Sequence, residues 1–208
     1  MKDLSRKNFI LIIDTRKCFD CKACMVACKV ENNVPKGYWR NWVKMTKGPK
    51  SRRTQFQPGQ CMQCEAPACV AACPVRATYK RSDGMVVIDP KKCIGCGNCL
   101  TGCPYGARFR NPDTKLAEKC NYCEHRLLRG EEPACVTTCP TKARVFGDLN
   151  DPESTVSALV KKERLVQVAN RRVNTKPRIY YTAGTAHLDW PKEPTLPGNI
   201  HLPVSFWK

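Results

Sequence analysis

Residues 93–104 read Cys93-Ile94-Gly95-Cys96-Gly97-Asn98-Cys99-Leu100-Thr101-Gly102-Cys103-Pro104, a C-x2-C-x2-C-x3-C-P run. All sixteen cysteines of the chain fall into four quartets built on this run, and none is left over. Quartet one lacks the closing proline, and the middle gap widens to four residues in quartet two and to eleven in quartet four. Grouped thiols of this kind are typical of metal sites. In chain order the quartets are Cys18, Cys21, Cys24, Cys28; Cys61, Cys64, Cys69, Cys73; Cys93, Cys96, Cys99, Cys103; and Cys120, Cys123, Cys135, Cys139.

Three chemistries use many cysteines, and the spacing favours one of them. Disulfides are typical of small secreted domains without a core, and neighbouring Cys-x2-Cys thiols are awkward disulfide partners. Structural zinc uses two Cys-x2-Cys pairs a dozen or more residues apart, which only quartet four approaches. Quartet three has the cysteine run of bacterial ferredoxins, which hold [4Fe–4S] clusters. The whole set therefore predicts four cubane clusters, with zinc and disulfides left as alternatives that iron and sulfide analysis would decide.

An internal repeat surrounds the quartets. Short apolar strands are predicted at Phe9–Ile13 and Met85–Ile88, before quartets one and three. After each Cys-Pro, an alanine follows four residues past the cysteine and leads into an exit strand, at Ala77, Ala107 and Ala143. Repeats on this scale indicate duplicated supersecondary units. We expect an α+β fold of two ferredoxin-like modules with pseudo-two-fold symmetry, each binding two clusters.

The residues around quartet four carry a family resemblance. The segments Cys120-Asn121-Tyr122-Cys123-Glu124-His125-Arg126-Leu127 and Phe146-Gly147-Asp148-Leu149, together with the order of the quartets, resemble one family. It is the four-cluster iron–sulfur subunit of the molybdopterin oxidoreductases (the dimethyl-sulfoxide reductase superfamily). The match covers roughly residues 8–182. The absence of long insertions between quartets three and four favours the polysulfide and thiosulfate reductase branch.

The family pattern implies that the quartets exchange ligands. We name the four implied ligand sets centres 1 to 4. No ligand position carries another residue, so four [4Fe–4S] centres and no [3Fe–4S] centre are expected. The sets are Cys18, Cys21, Cys24 and Cys139 for centre 1; Cys28, Cys120, Cys123 and Cys135 for centre 2; Cys61, Cys64, Cys69 and Cys103 for centre 3; and Cys73, Cys93, Cys96 and Cys99 for centre 4.

The exchange of ligands predicts how the chain divides. Residues 1–50 and 115–150 form a module with quartets one and four, and residues 51–114 form a module with quartets two and three. A C-terminal helix and strand at 151–181 and an extended Pro- and Trp-rich tail at 182–208 follow. We expect the tail to lie along a partner subunit, since exposed aromatic side chains serve as interface anchors.

Smaller features carry further expectations. Asp151 and the following Pro-Glu predict the start of a helix that runs to about Ala169. Trp39 and Trp42 are predicted to pack in the core, because large aromatic side chains are usually buried. His125 is expected to form a hydrogen bond or an interface contact rather than to bind metal.

The resemblance implies a non-catalytic subunit of an oxidoreductase complex in anaerobic respiration. It relays electrons between a molybdopterin catalytic subunit, which centre 1 faces, and a membrane quinone-reactive subunit or cytochrome, which centre 4 faces. The iron–sulfur subunit of another respiratory complex (menaquinone reductase, formate dehydrogenase, hydrogenase or a nitrite reductase system) and a free-standing polyferredoxin remain alternatives. No Ser–His–Asp set, glycine-rich phosphate loop or paired-carboxylate site emerges from the sequence.

Net charge and hydropathy limit the kinds of partner that the chain is expected to have. The 36 Lys and Arg against 18 Asp and Glu give a formal net charge of +18. Four oxidised clusters with their thiolates offset about eight of these charges. Aromatic side chains are not interleaved with the basic residues, so nucleic acid is not an expected partner.

The longest apolar run, Phe9–Ile13, is far shorter than the ~20 residues that span a bilayer, and no transmembrane segment is expected. Residues 1–7 lack a hydrophobic signal core and a twin arginine, which by itself favours the cytoplasm. The resemblance favours attachment through partners on the periplasmic side of the membrane.

Overall fold

The computed structural model describes residues 2–47, 54–168 and 173–182. The predicted tail, apart from Thr182, lies outside the described residues, and its contact with a partner stays a prediction. The described residues form six helices and ten strands. The helices are α1 (Ala23–Glu31), α2 (Ala68–Ala71), α3 (Asn98–Thr101), α4 (Glu124–Leu127), α5 (Ala134–Thr137) and α6 (Thr155–Lys162). The strands are β1 (Phe9–Ile13), β2 (Asn41–Lys47), β3 (Thr54–Gln60), β4 (Thr78–Lys80), β5 (Val86–Ile88), β6 (Phe109–Arg110), β7 (Ala117–Glu118), β8 (Arg144–Asp148), β9 (Leu165–Val166) and β10 (Ile179–Thr182).

Strand β1 is the interior strand of the largest sheet, whose order is β8-β1-β10-β9. It pairs antiparallel with β8 and parallel with β10. All five of its residues are buried, because one face packs with Phe146 and Tyr181 and the other with Val156 of α6. A strand covered on both faces has a continuous apolar sequence, which explains the run at Phe9–Ile13.

The other strands form two-stranded antiparallel pairs: β2 with β3, β4 with β5, and β6 with β7. The pair β4–β5 joins the exit from quartet two to the entry into quartet three, since Thr78 lies opposite Ile88. The pair β1–β8 does the same for quartets four and one, with Ile13 opposite Arg144. In each case the strand ends that meet lead directly into cysteines of different quartets.

The repeat predicted after each Cys-Pro is present in the backbone. Helices α2, α3 and α5 each have four residues and precede the closing cysteine of a quartet. The third residue after that cysteine is left-handed, with φ of 51° at Arg76, 58° at Gly106 and 52° at Lys142. Its N–H donates to the carbonyl of the cysteine at 3.2 Å in all three copies. The predicted entry and exit strands are confirmed as β1, β5, β4, β6 and β8.

The C-terminal helix is shorter than predicted, and the start at Asp151 and the end near Ala169 were wrong. Helix α6 begins after Ser154, whose Oγ accepts from the N–H of Ser157 at 3.2 Å. The Asp151 carboxylate instead accepts from the N–H of Glu153 at 3.0 Å and forms a turn. Glu163 is extended and the chain then enters β9, so pairing with the sheet ends the helix.

Trp39 and Trp42 pack as expected. Trp42 is 3% exposed in the core, and its indole lies so close to Gly59 that an added Cβ there would be 2.5 Å from Nε1. Trp39 is partly buried against the same core, with the Lys29 ammonium 4.6 Å from its ring centroid. Within the described residues, no helix combines the length and the hydropathy required to cross a bilayer.

Candidate metal centres

Each quartet opens with a Cys-x2-Cys turn of the same unusual geometry. The residue immediately before the second cysteine is left-handed in all four copies, and only one of the four is glycine. Left-handed backbone is uncommon for other residues, and successive N–H groups in such turns form concavities that bind anions and iron–sulfur clusters. In quartet four the N–H of Tyr122 donates to the Cys120 sulfur at 3.4 Å. The four residues and their φ angles are Asp20 (64°), Gln63 (47°), Gly95 (67°) and Tyr122 (56°).

Three of the implied ligand sets each surround a cavity. The four thiols of centre 2 line one cavity, those of centre 1 a second and those of centre 3 a third. In each cavity, three cysteines of one quartet meet one cysteine from another. For the ligand set of centre 4, the structure gives the β4–β5 pair, which brings the exit from Cys73 beside the entry into Cys93.

The thiols surround space rather than a point. Within the described part of the chain, no three His, Cys, Asp or Glu side chains converge closely enough to hold a single metal ion. A tetrahedral zinc site requires sulfur atoms about 2.3 Å from one ion. Each of the three cavities is lined by four thiols, the number of cysteine ligands that a [4Fe–4S] cluster takes.

Burial divides the centres into two classes. All eight cysteines of centres 2 and 3 are buried. Centres 1 and 4 each contain one exposed cysteine, Cys21 and Cys96 respectively. An exposed apolar side chain lies in the same turn of each: Phe19 is 56% exposed and Ile94 is 63% exposed. We refer to centres 2 and 3 as the inner centres and to centres 1 and 4 as the outer centres.

Free thiols at the inner centres would resist ionisation. Burial raises the pKa of Cys28 and of Cys64 to about 12, and that of Cys103 and of Cys135 to about 11. Neighbouring sulfurs raise several of these values further through repulsion between thiolates. Thiolates are the ligands of iron, and metal ligation supplies the positive charge that stabilises them. The inner cavities are therefore suited to thiolates only when a metal group fills them.

Each outer centre takes one of its implied ligands from another quartet, Cys139 at centre 1 and Cys73 at centre 4. The pKa of these two thiols is lowered rather than raised. Burial alone would raise the pKa of the Cys73 thiol, but hydrogen bonds from the backbone of Thr78, Ala77 and Val75 outweigh it and lower the pKa. Burial alone would also raise the pKa of the Cys139 thiol, but backbone hydrogen bonds again outweigh burial and lower it. One of these donors is the N–H of Ala143, 3.3 Å from the Cys139 sulfur. The exit turn thus stabilises the anionic form of the closing cysteine.

Two arginines give independent support for anionic groups in these cavities. Arg108 and Arg144 are each 2% exposed, and neither lies within ion-pair distance of a carboxylate of the described residues. Arg108 Nη2 donates to the Cys69 sulfur at 2.9 Å. Arg144 lines the cavity of centre 1, and its Nη1 donates to Oε1 of Gln60 at 2.7 Å. Thiolates raise the pKa of both guanidinium groups against the effect of burial. An unpaired buried charge is costly, so these residues fit a site that holds a net negative cluster.

Polar side chains connect the two inner centres. Gln63, inside the first turn of quartet two, donates to the carbonyl of Cys120 at 2.9 Å and accepts from the N–H of Val86 at 2.7 Å. The buried Lys119 ammonium donates to the carbonyls of Cys120 (2.8 Å) and Val86. Burial lowers the pKa of Lys119, while the nearby Cys61 and Cys120 thiolates oppose that change. Centres 2 and 3 therefore meet across a short, rigid bridge.

His125 does not face a cavity. Its Nε2 lies 2.6 Å from Oε1 of Glu31, and Arg126 Nη1 donates to the other oxygen of the same carboxylate at 2.9 Å. These contacts join α4 to the end of α1, beside Cys28 and Cys123. His125 is thus a hydrogen-bonding residue, as expected from the sequence.

Reasoning from the sequence did not identify the buried cations. Arg108 and Arg144 occupy the same place in a repeated Cys-Pro-x-x-Ala-Arg segment, and that repetition was a usable signal. Charged residues are normally exposed, however, and the two arginines were assigned only to exit strands. No sequence signal marks Gln63 or Lys119, since their roles depend on how two quartets approach each other.

Comparison with known proteins agrees with this geometry. A family profile described as a 4Fe-4S dicluster domain matches residues 52–149, and another with the same description matches residues 17–77. Two such domains, with two clusters each, account for the sixteen cysteines as four [4Fe–4S] clusters.

Individual relatives narrow the family. The B subunit of tetrathionate reductase from Salmonella typhimurium is 39% identical over 85% of this chain and 72% of its own length. The corresponding tetrathionate reductase subunit from Archaeoglobus fulgidus is 45% identical, with coverage of 86% and 83%. The B subunit of polysulfide reductase from Wolinella succinogenes is 39% identical, with coverage of 84% and 93%. These relatives confirm the resemblance, and the protein belongs to the family of iron–sulfur subunits of the molybdopterin oxidoreductases.

Proposed function

We propose that this chain is the electron-transfer subunit of a respiratory reductase complex and has no catalytic site of its own. When bound, each [4Fe–4S] cluster takes up and releases single electrons. The observation that carries the proposal is the burial pattern: two fully buried centres accompany two centres that each reach the surface at one cysteine. Electrons can then enter and leave only at the outer centres, while protein excludes solvent from the inner ones.

The proposal assigns the ligand sets as centres 1 to 4 were defined. The cavities around the first three sets support this assignment, as does the β4–β5 pair at the fourth. The same contacts support two modules related by a pseudo-two-fold axis, residues 1–50 with 115–150 and residues 51–114. The pair β1–β8 joins quartets one and four, and β4–β5 joins quartets two and three.

The order of transfer follows from residues shared between neighbouring centres. Arg144 interacts with Cys24 of centre 1 and with Cys135 of centre 2. Lys119 interacts with Cys120 of centre 2 and Cys61 of centre 3. Arg108 interacts with Cys69 of centre 3 and more weakly with Cys99 of centre 4. Because each cation acts electrostatically on sulfurs of two successive centres, these interactions support a linear relay in the order 1, 2, 3, 4.

We propose that centre 1 faces a molybdopterin catalytic subunit and centre 4 a membrane quinone-reactive subunit or cytochrome. The relatives named as subunits of reductases support a complex of this kind, and the exposed Phe19 and Ile94 supply an apolar contact at each outer centre. Attachment on the periplasmic side of the membrane, through these partners, rests on the family resemblance.

The complex purified without oxygen tests the proposal. Native mass spectrometry should show this chain with a molybdenum-containing subunit, and analysis should give about sixteen irons per chain, four for each cluster. Cys96→Ser at the exposed outer centre should slow the reduction of substrate by quinol, because a ligand other than thiolate alters the centre through which these electrons pass. It should spare reduction by a dye that delivers electrons directly to the catalytic subunit, which serves as the control.

Three results would contradict the proposal. A chain with zinc, or with far fewer irons, would rule out the four clusters. Equal loss of quinol-driven and dye-driven activity in Cys96→Ser would mean that the chain is part of the catalytic site rather than a relay. A chain that carries its full iron but remains a monomer among soluble acceptors would instead be a free-standing polyferredoxin.

A further inference from the structure

The cavity of centre 3 is completed by a residue from a distant part of the chain. Among the described residues that line it, all but Thr175 belong to residues 61–108, which carry quartets two and three. Thr175 is 0% exposed, and its Oγ1 lies 2.6 Å from the hydroxyl of Tyr105, which lines the same cavity. A buried hydroxyl from the C-terminal part of the chain thus reaches the site of four thiols.

Backbone hydrogen bonds hold Thr175 in this position. We call residues 175–182 the C-terminal strap. Three bonds join the strap to the first turn of quartet two and the residues just after it. Lys176 of the strap is left-handed, with φ 48°, and such backbone persists at residues other than glycine where the surrounding structure enforces it. The bonds, with the N–H donor first and the carbonyl acceptor second, are Glu65 to Lys176 (2.8 Å), Ala66 to Thr175 (3.0 Å) and Arg178 to Met62 (2.9 Å).

The other end of the strap is held by the sheet. Residues Ile179–Thr182 form strand β10, which pairs in parallel with β1, the strand that leads into quartet one. Between the two ends, the Arg178 guanidinium donates to the carbonyl of Phe9 and to the carboxylate of Glu65, each at 3.1 Å. The strap therefore joins the two proposed modules, and it does so beside centre 3.

The Thr175 hydroxyl is able to serve the cavity as well as Tyr105. A hydroxyl donates one hydrogen bond and accepts others, so Thr175 Oγ1 can accept from Tyr105 and still donate to a sulfur. Burial raises the pKa of the Cys64 thiol to about 12, and the Thr175 side chain opposes that rise. A donor of this kind favours the thiolate, which is the form that binds iron.

From these contacts we propose that the C-terminal strap closes centre 3 against solvent, and that Thr175 at its inner end is a positioning residue for the ligands of this centre. The inference deepens the proposed function and rests on it, because it assumes four centres of which the inner two are sealed. Quartets two and three supply every implied ligand of centre 3, while the strap supplies the remaining part of its lining. Opening of the strap would expose this centre and leave the other three covered as before.

Alkylation of the iron-loaded full-length chain, with a chelator of ferrous iron present, tests this inference. Iodoacetamide modifies a cysteine once its sulfur has left iron, because the free thiolate is the nucleophile, and peptide mass mapping identifies each modified residue. Thr175→Val removes the hydroxyl from the lining. It should speed alkylation of the four cysteines of centre 3 by about tenfold, as loss of one buried hydrogen bond predicts, and leave the other centres at the wild-type rate. Thr175→Ser should restore most of the protection.

Two further variants sharpen the test. Thr182→Val is the matched control, since Thr182 is also a buried threonine of the strap, but its hydroxyl donates to Asp14 at 3.1 Å, away from centre 3. It should leave alkylation at centre 3 unchanged. Tyr105→Phe removes the other hydroxyl of the pair from the side of quartet three, and it should speed alkylation of the same four cysteines. This variant decides the inference even where Thr175→Val fails to fold.

Iron analysis separates this inference from the proposed function. A wild-type chain with far fewer than about sixteen irons would refute the four-cluster relay itself. Full iron content with wild-type alkylation rates in both Thr175→Val and Tyr105→Phe would overturn only the role of the strap. Equal acceleration at centre 3 in Thr182→Val would overturn the positioning role of Thr175. Acceleration at all four centres in Thr175→Val would also overturn it, because the substitution would then loosen the whole chain.

Discussion

The inner and outer centres use the same cysteine spacing in opposite surroundings. Every cysteine of centres 2 and 3 is buried, and a bridge of Gln63 and Lys119 joins the two sites. Centres 1 and 4 each expose one cysteine beside an exposed apolar side chain. The same cysteine spacing thus occurs in buried and in exposed surroundings, and we expect the packing around a centre to decide whether it exchanges electrons with another protein.

Removing a ligand should distinguish the two classes most strongly. In Cys135→Ser, an inner centre loses a buried thiolate that nothing can replace. We expect the loss of about four irons and a fall in melting temperature of about 10 °C or more, because metal ligation contributes several kcal/mol to folding. Iron analysis and anaerobic thermal unfolding measure both effects.

Cys21→Ser is the matched change at an outer centre. Water or the serine hydroxyl can reach the iron there, so the melting temperature should fall by only about 2–4 °C, the equivalent of about 1 kcal/mol for a chain of this length. Equal destabilisation by the two variants would show that burial does not separate the classes.

Charged substitutions at the exposed apolar side chains should show which partner each outer centre contacts. Phe19→Asp should weaken recovery of the molybdenum-containing subunit, and Ile94→Asp should weaken recovery of the membrane partner, each by about tenfold or more, as loss of an interface anchor predicts. Quantitative affinity purification of the complex measures both recoveries. Iron content must stay unchanged, and a loss of both partners in either variant would contradict the separate roles.

The turn of quartet three offers a comparison within a single outer centre. Gly95 has φ +67°, and an added Cβ would clash with the carbonyl oxygen of Lys115. Gly97 has φ +85°, but nothing lies within 4 Å of an added Cβ. Gly97→Ala should cost about 1 kcal/mol of backbone strain, whereas Gly95→Ala should cost about 2 kcal/mol more through the clash. Thermal unfolding of iron-loaded protein measures the difference, and similar melting temperatures would contradict it.

The smallest predicted effect concerns the contact of Glu31 with His125, which lies beside Cys28 and Cys123 of centre 2. His125 and, less strongly, Arg126 lower the pKa of the Glu31 carboxyl. The pKa of this carboxyl is lower in the folded protein than its unfolded value of 4.5. The carboxylate therefore stabilises the fold at any pH above 4.5, and this stabilisation is lost as the pH falls through the folded pKa. Glu31→Gln should therefore cost about 0.5 kcal/mol at neutral pH and nothing at strongly acidic pH. A cost that persists unchanged below the folded pKa would contradict this explanation.

The cysteine spacing predicted much of the fold because metal ligation restricts the backbone locally. The continuous apolar run predicts strand β1, and the repeated Cys-Pro-x-x-Ala predicts the exit turns. The prediction made helix α6 too long. The helix ends where β9 pairs with β10, and this contact joins residues that lie outside the helical sequence pattern. Parallel pairing of Ile179–Thr182 with β1 likewise depends on tertiary packing rather than on local sequence.

The candidate sites were predicted less completely than the fold. Spacing identified the cysteines, but not which of them are exposed, since exposure depends on how the quartets pack. The buried Arg108 and Arg144 contradict the usual expectation that charges face solvent. Their place beside sulfur is understandable only once the anionic clusters are included in the balance of charge.

The sheet has a consequence for how the protein is made. Strand β1 lies between β8 and β10, and the cavity of centre 1 is lined by Cys18, Cys21 and Cys24 together with Cys139. Cys18, Cys21 and Cys24 leave the ribosome more than a hundred residues before Cys139. We therefore expect this cavity to close only after translation has passed Cys139.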